Sequence, residues 1–160
     1  MKIKNASKSF GFTLIELLTV IAIIGTLSTV IVVSINPRTQ LAKGRDTRRE
    51  TDLITVLSAV YQYTSEHSGD LPDTDGNPQT SNFPTTLTCI GTDVGCFNLA
   101  SAGDDETIVP VYLADIPKDP KPINEDEGDD GNTGYKIMVD TYGRLTASAS
   151  GETRTVSFTR

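Results

Sequence analysis

The chain has 160 residues, enough for one modest domain with an appendage and too few for two full cores. Its net charge of −7 is unevenly spread: 17 Asp and Glu stand against six Lys and Arg between Glu66 and Arg160, a balance of −11 that argues against a nucleic-acid-binding face there. Catalysis finds no support either, because the lone histidine, His67, belongs to no nucleophile or paired-carboxylate pattern and no Gly-rich phosphate loop is present.

The first stretch, MKIKNASKSFG, is short and polar, with Lys2, Lys4 and Lys8 and no acid, and reads as a cytoplasmic leader. From Phe12 to Ile35 the only charge is Glu16. As a helix this run would extend roughly 36 Å at about 1.5 Å per residue, enough to cross a hydrocarbon core of about 30 Å. About fifteen Leu, Ile, Val and Phe residues at around −0.5 kcal/mol each outweigh roughly +3 kcal/mol for one carboxylate, and the cost falls near the end of a span, where Glu16 sits. The run is too long for the apolar region of a secretory signal peptide, and a buried core helix apolar on nearly every face suits a small soluble domain poorly.

At Gly11-Phe12-Thr13-Leu14-Ile15-Glu16 the sequence resembles the N-terminal signature of type IV prepilins and of type II secretion pseudopilins. In that family a glycine precedes a cleaved bond, a glutamate stands fifth after it, and an apolar run follows. The resemblance implies that a membrane-bound prepilin peptidase cuts between Gly11 and Phe12 and methylates the new amino group of Phe12. It further implies that the carboxylate of Glu16 pairs with the amino group of a neighbouring copy's Phe12 in a dry helical bundle, where an unpaired charge is very costly. Snorkelling of Glu16 to the membrane interface is the simpler alternative.

Arg38, Lys43, Arg45, Arg48 and Arg49 follow the span, against three lysines before it, so flanking charge alone favours the opposite orientation. Asp46, Glu50 and Asp52 lie among these cations and predict lateral pairing on a helix face. Leu53, Val56, Leu57, Val60, Tyr61 and Thr64 recur at helical spacing, which predicts an amphipathic helix from about Pro37 to His67. Asn36-Pro37 fits an N-cap with proline at the first helical position, and equally a kink in one long helix; Gly25 is a second joint candidate, or simply a site of close helix packing. The helix is expected to stop at HSGDLP, through Gly69 and Pro72.

Leu71 to about Pro122 is rich in Pro, Gly, Thr, Asn and Asp and predicts irregular loops laid over the helix. Within it, IPKDP at Ile116–Pro120 resembles the Pro-x-Asp-Pro segment of major pseudopilins and related pilins, although Lys121-Pro122 follows where major pseudopilins have Trp-Gly. Cys89 and Cys96, once exported to an oxidising compartment, would close a short loop worth about 2–3 kcal/mol; the alternative is two free thiols. Asp126, Asp129 and Asp130, in the glycine-punctuated NEDEGDDGNTG, are candidates for a Ca2+ loop, which the resemblance to major pseudopilins implies. Their spacing does not meet the EF-hand pattern, and a solvated acidic turn is the alternative.

Alternation in Tyr135, Ile137 and Val139, in Leu145, Ala147 and Ala149, and in Val156 and Phe158 predicts a three-stranded antiparallel meander whose apolar face covers the amphipathic helix. The fold class expected is α+β and pilin-like, with a leader at 1–11, a transmembrane and polymerisation helix at 12–35, its amphipathic continuation at 36–68, and an extracytoplasmic loop region and sheet at 69–160. The function expected is structural: a non-enzymatic subunit of a type IV pilus-like filament, anchored in the cytoplasmic membrane with its C-terminal domain outside. Its partners would be the prepilin peptidase, other copies and related pilins, the inner-membrane assembly machinery, and membrane lipid before assembly. A type II secretion pseudopilin is the near alternative. Two further alternatives are a module binding DNA or anionic headgroups through Arg38–Arg49, and a plain signal-anchored exoprotein that is never processed.

Overall fold

The structure, a computed structural model, describes residues 11–77, 80–103 and 106–160; the leader assigned to the first residues lies almost wholly outside these, with only Gly11 described. It comprises two compact units, Met1–Gln40 and Leu41–Arg160.

The first unit is built on α1, Leu14–Ile35. Its sequence offers no polar face, and none of its residues is buried. Most of the few hydroxyls it carries are turned back onto the helix: Thr19, Thr26, Ser28 and Thr29 donate to the carbonyls of Ile15, Ile23, Ile24 and Gly25 at 2.7–3.1 Å. A hydroxyl satisfied in this way exposes no unpaired donor to an apolar surrounding. The helix runs through Gly25 unbroken and ends at Asn36, which takes a left-handed conformation with φ 47°.

Helix α2, Pro37–Glu66, begins on a residue whose missing N–H costs nothing at that position. The Asn36 carbonyl accepts from the amides of Thr39 and Gln40, so the first turn is tied to the residue before it. Ala42, Asp46, Arg49, Leu53, Val56, Val60 and Tyr63 form one buried stripe at alternating steps of four and three, with Leu57 and Ala59 beside it. Tyr63, not Tyr61, completes the apolar face; Tyr61 is only partly buried and donates to the carbonyl of Arg160. The helix stops where expected: Gly69 takes φ 100° and its amide returns to the carbonyl of Thr64 at 2.9 Å.

The sheet has four strands, not three, in the order β1-β2-β3-β4, all antiparallel: β1 Thr88–Cys89, β2 Tyr135–Val139, β3 Leu145–Ser150 and β4 Thr155–Thr159. Two residues cannot display an alternating pattern, which is why β1 escapes a reading by periodicity. The three longer strands pair in the predicted meander, with Tyr135 opposite Ala149, Ile137 opposite Ala147 and Ala149 opposite Val156. These residues share one face and join Leu53, Val56, Leu57 and Val60 in a single apolar core. The small Ala147 and Ala149 on the central strand leave room for the large side chains of the helix layer.

The loop region also feeds this core, because Phe83, Ile90, Phe97, Leu99, Ile108 and Leu113 are buried in it. Phe83 and Phe97 meet edge to face with ring centroids 5.0 Å apart. The stretch from Leu71 to Pro122 is therefore irregular in backbone and structural in content.

Candidate functional site

The N-terminal turn of α1 is where the sequence concentrates its signal. Thr13 is the N-cap: its hydroxyl accepts from the amide of Glu16 at 3.2 Å, while Glu16 Oε2 accepts from the Thr13 amide at 2.8 Å and from its hydroxyl at 2.7 Å. This reciprocal capping box satisfies donors that a helix start otherwise leaves open. Within one chain, then, Glu16 has a local partner, and the Thr-x-x-Glu spacing that announces it was legible in the sequence. Phe12 is 90% exposed, and Gly11 has open space around it, so the bond between them projects freely from the first turn.

The rest of α1 is an apolar surface with nothing on it. At 22 residues it is roughly 33 Å long, its mean hydropathy is 2.5, and none of its most apolar window is buried. By length and composition it is able to cross a membrane. A helix apolar on every side is stable only when lipid or other helices cover it.

The other sequence-predicted positions distribute as follows. Pro37 is the first residue of α2 and Gly25 lies inside α1. Cys89 and Cys96 form a disulfide, with Cα atoms 4.6 Å apart. Among the acidic-loop candidates, Asp130 Oδ1 lies 2.7 Å from Lys118 Nζ, and Asp129 Oδ1 accepts from the Asn132 amide at 2.9 Å. Among the described residues no three of His, Cys, Asp and Glu gather as a metal-holding group. His67 stacks on the Tyr63 ring at 3.9 Å and contacts the Tyr63 carbonyl, a packing role.

The basic segment is the largest addition the structure makes. Arg49 is fully buried, with Nε and Nη2 on Asp119 at 2.8 and 2.5 Å, Nη1 on Asp46 at 2.8 Å, and Nη2 also on the carbonyl of Lys121. Asp46 in turn accepts from the amides of Glu152 and Thr153, each at 2.9 Å, and from the Thr153 hydroxyl. Burial pushes the Asp46 carboxyl up, but these donors from Thr153, Glu152 and Arg49 overcome it and hold the group below its ordinary value. Glu152 takes both Arg45 and Lys121, which bring its carboxyl from an ordinary 4.5 down to about 2. Asp119, with its carboxylate on Arg49, holds that guanidinium's pKa above its ordinary value.

The predicted lateral pairing is thus only part of the pattern. Asp46–Arg49 and the longer Arg48–Asp52 contact of 3.9 Å lie along α2, whereas Arg45, Arg49 and Glu50 reach across to Glu152, Asp119 and Arg154. Asp119, the acid of IPKDP, is the partner that no local pattern identified. The missing signal was the stripe itself: extended two steps before Leu53, the alternation of four and three puts Arg49 and then Asp46 inward.

No curated protein and no solved structure matches the chain significantly. Residues 6–32 match the family model described as the prokaryotic N-terminal methylation motif, and they cover the Gly11–Phe12 bond, the Thr13–Glu16 cap and most of α1. The chain therefore carries, at the start of its exposed apolar helix, the signature of type IV pilins and pseudopilins.

Proposed function

We propose that this chain is a structural subunit of an extracytoplasmic type IV pilus-like filament. A prepilin peptidase cleaves it between Gly11 and Phe12 and methylates Phe12; α1 holds it in the cytoplasmic membrane until assembly moves that helix from lipid into a bundle of like helices. The observation that carries this reading is the coincidence of the methylation motif with a helix on which no residue is buried.

The first turn supports the same reading. Glu16 Oε2 is engaged by Thr13, and the exposed carboxylate keeps lone pairs for the charged amine of an adjoining subunit. In an apolar bundle that pairing removes two isolated charges at once, so it sets how neighbouring helices align. The C-terminal unit, with its closed apolar core and its disulfide, is what such a filament would display.

A pilus is favoured over a secretion pseudopilus by the Cys89–Cys96 bond and by Lys121-Pro122 after IPKDP in place of Trp-Gly. Intact-mass measurement of the native protein is the test. Loss of Met1 to Gly11 with gain of one methyl group is the expected result, and a full-length, unmethylated chain in assembled fibres would overturn the proposal.

A further inference from the structure

The unit Leu41–Arg160 contains an open cavity of about 310 Å3 lined by Lys43, Asp46, Thr47, Thr153 and Arg154. Its one carboxylate is spent: Asp46 Oδ1 accepts from Arg49 and the Glu152 amide, and Oδ2 from the amide and hydroxyl of Thr153. A cation would find no free oxygen there, since both carboxylate oxygens are taken by donors. Arg154 gives one nitrogen to Glu50 and keeps its other N–H groups. Lys43 is exposed and makes no ion pair among the described residues. Around the cavity Lys43, Arg45, Arg49, Lys121 and Arg154 stand against Asp46, Glu50, Asp119 and Glu152, five positive charges to four negative, which leaves a surplus of one positive charge beside a space that fits a phosphate-sized group.

Chain connectivity supplies a second constraint. Lys43 follows Ile35 by only eight residues, so even a fully extended connection keeps it within about 29 Å of the end of the span. Headgroups occupy several ångströms beyond the hydrocarbon on each side of a bilayer, so they come within reach.

We propose that this cavity binds the phosphodiester headgroup of an anionic phospholipid while the subunit is stored in the membrane; the inference rests on α1 being the anchor proposed above. Lys43 supplies the free cation and Arg154 the second set of donors, in the leaflet on the side of the C-terminal unit.

The test uses the full chain reconstituted into phosphatidylcholine vesicles with and without phosphatidylglycerol, with lysine acylation read by mass spectrometry. Acylation of Lys43 is expected to slow about fivefold in the anionic vesicles, while the exposed Lys136 on β2 is unchanged. Arg154→Ala, which removes only an exposed pair with Glu50, is expected to abolish that protection. Equal Lys43 rates in both vesicles, or protection that survives Arg154→Ala, would overturn the headgroup site. Equal protection by inorganic phosphate, or protection by an oligonucleotide alone, would assign the cavity to a soluble anion or to nucleic acid and overturn the lipid source. Resistance to alkaline carbonate extraction is measured in parallel: release of the chain overturns the anchor together with this proposal, whereas retention without protection overturns this proposal alone.

Discussion

Arg49 and Asp119 meet as a two-pronged buried pair across seventy residues of sequence, with guanidinium nitrogens 2.8 and 2.5 Å from the two carboxylate oxygens. Both side chains are almost wholly removed from solvent, and Asp46 and the Lys121 carbonyl fill the remaining positions around the guanidinium. The pair fastens the IPKDP loop to α2, and through Asp46 the same cluster fastens the β3–β4 turn.

Removing Arg49 leaves two buried carboxylates without their cation. Arg49→Ala is expected to destabilise the C-terminal unit by about 3–5 kcal/mol, the cost of breaking rather than replacing a buried pair. Urea unfolding of the chain in mild detergent, followed by near-UV circular dichroism, measures it; a loss under 1 kcal/mol would show that water re-enters and solvates the acids.

The close fit at the turn gives a second test. A Cβ on Gly151 would stand 2.2 Å from the Arg154 carbonyl and 2.6 Å from Asp46 Oδ1. Gly151→Ala therefore forces the turn off Asp46 and is expected to cost roughly 1–3 kcal/mol, as overpacking does. The same denaturation experiment reads it, and Gly143→Ala is not an equivalent control, since that residue carries φ 77° and is strained for a different reason.

Acid should loosen this cluster in a defined window. Glu152, with Arg45 and Lys121 on it, titrates near 2 in the fold against an ordinary 4.5, and Asp46 is also held low. A carboxylate with a depressed folded pKa contributes stability that is present above its unfolded value and is lost as pH falls toward the folded one. Stability is expected to be flat above about pH 5 and to fall between there and pH 2. Glu152→Gln should shrink that dependence, and an unchanged pH profile would assign it to other acids.

The disulfide closes a loop of sequence separation seven and should act mainly on the unfolded chain. Replacing both cysteines by serine is expected to cost about 2–3 kcal/mol, with Ile90 and Phe97 still buried. Thermal unfolding of oxidised and reduced protein checks this, and a difference near zero would place the stability of the loop in those two apolar anchors.

Glu16→Ala is expected to leave membrane insertion intact and to impair filament assembly. Thr13→Val removes only the hydroxyl half of the cap, worth about 1 kcal/mol, and should assemble far better than the Glu16 variant. Carbonate extraction measures insertion, and electron microscopy of sheared fibres measures assembly; equal defects in the two variants would make Glu16 a capping residue alone.

The sequence by itself determined what depends on neighbours along the chain. A helix too apolar for water, a cap and a carboxylate at fixed spacing, a helix stop at Gly69, and strands alternating between two faces are all set by period and by backbone preference, so they were legible without a fold. The disulfide was legible as an option, since two cysteines seven residues apart have few alternatives. Tertiary structure alone decided the fate of the basic segment. The stripe places Arg49 inward, but which acids Arg45 and Arg49 find depends on which distant loops fold back over α2, and contacts spanning seventy and more than a hundred residues leave no local period to read. Burial made the difference: an arginine beside Leu53 on the inward stripe can be buried only because Asp119 and Asp46 arrive to neutralise it, and their arrival is a property of the packed chain.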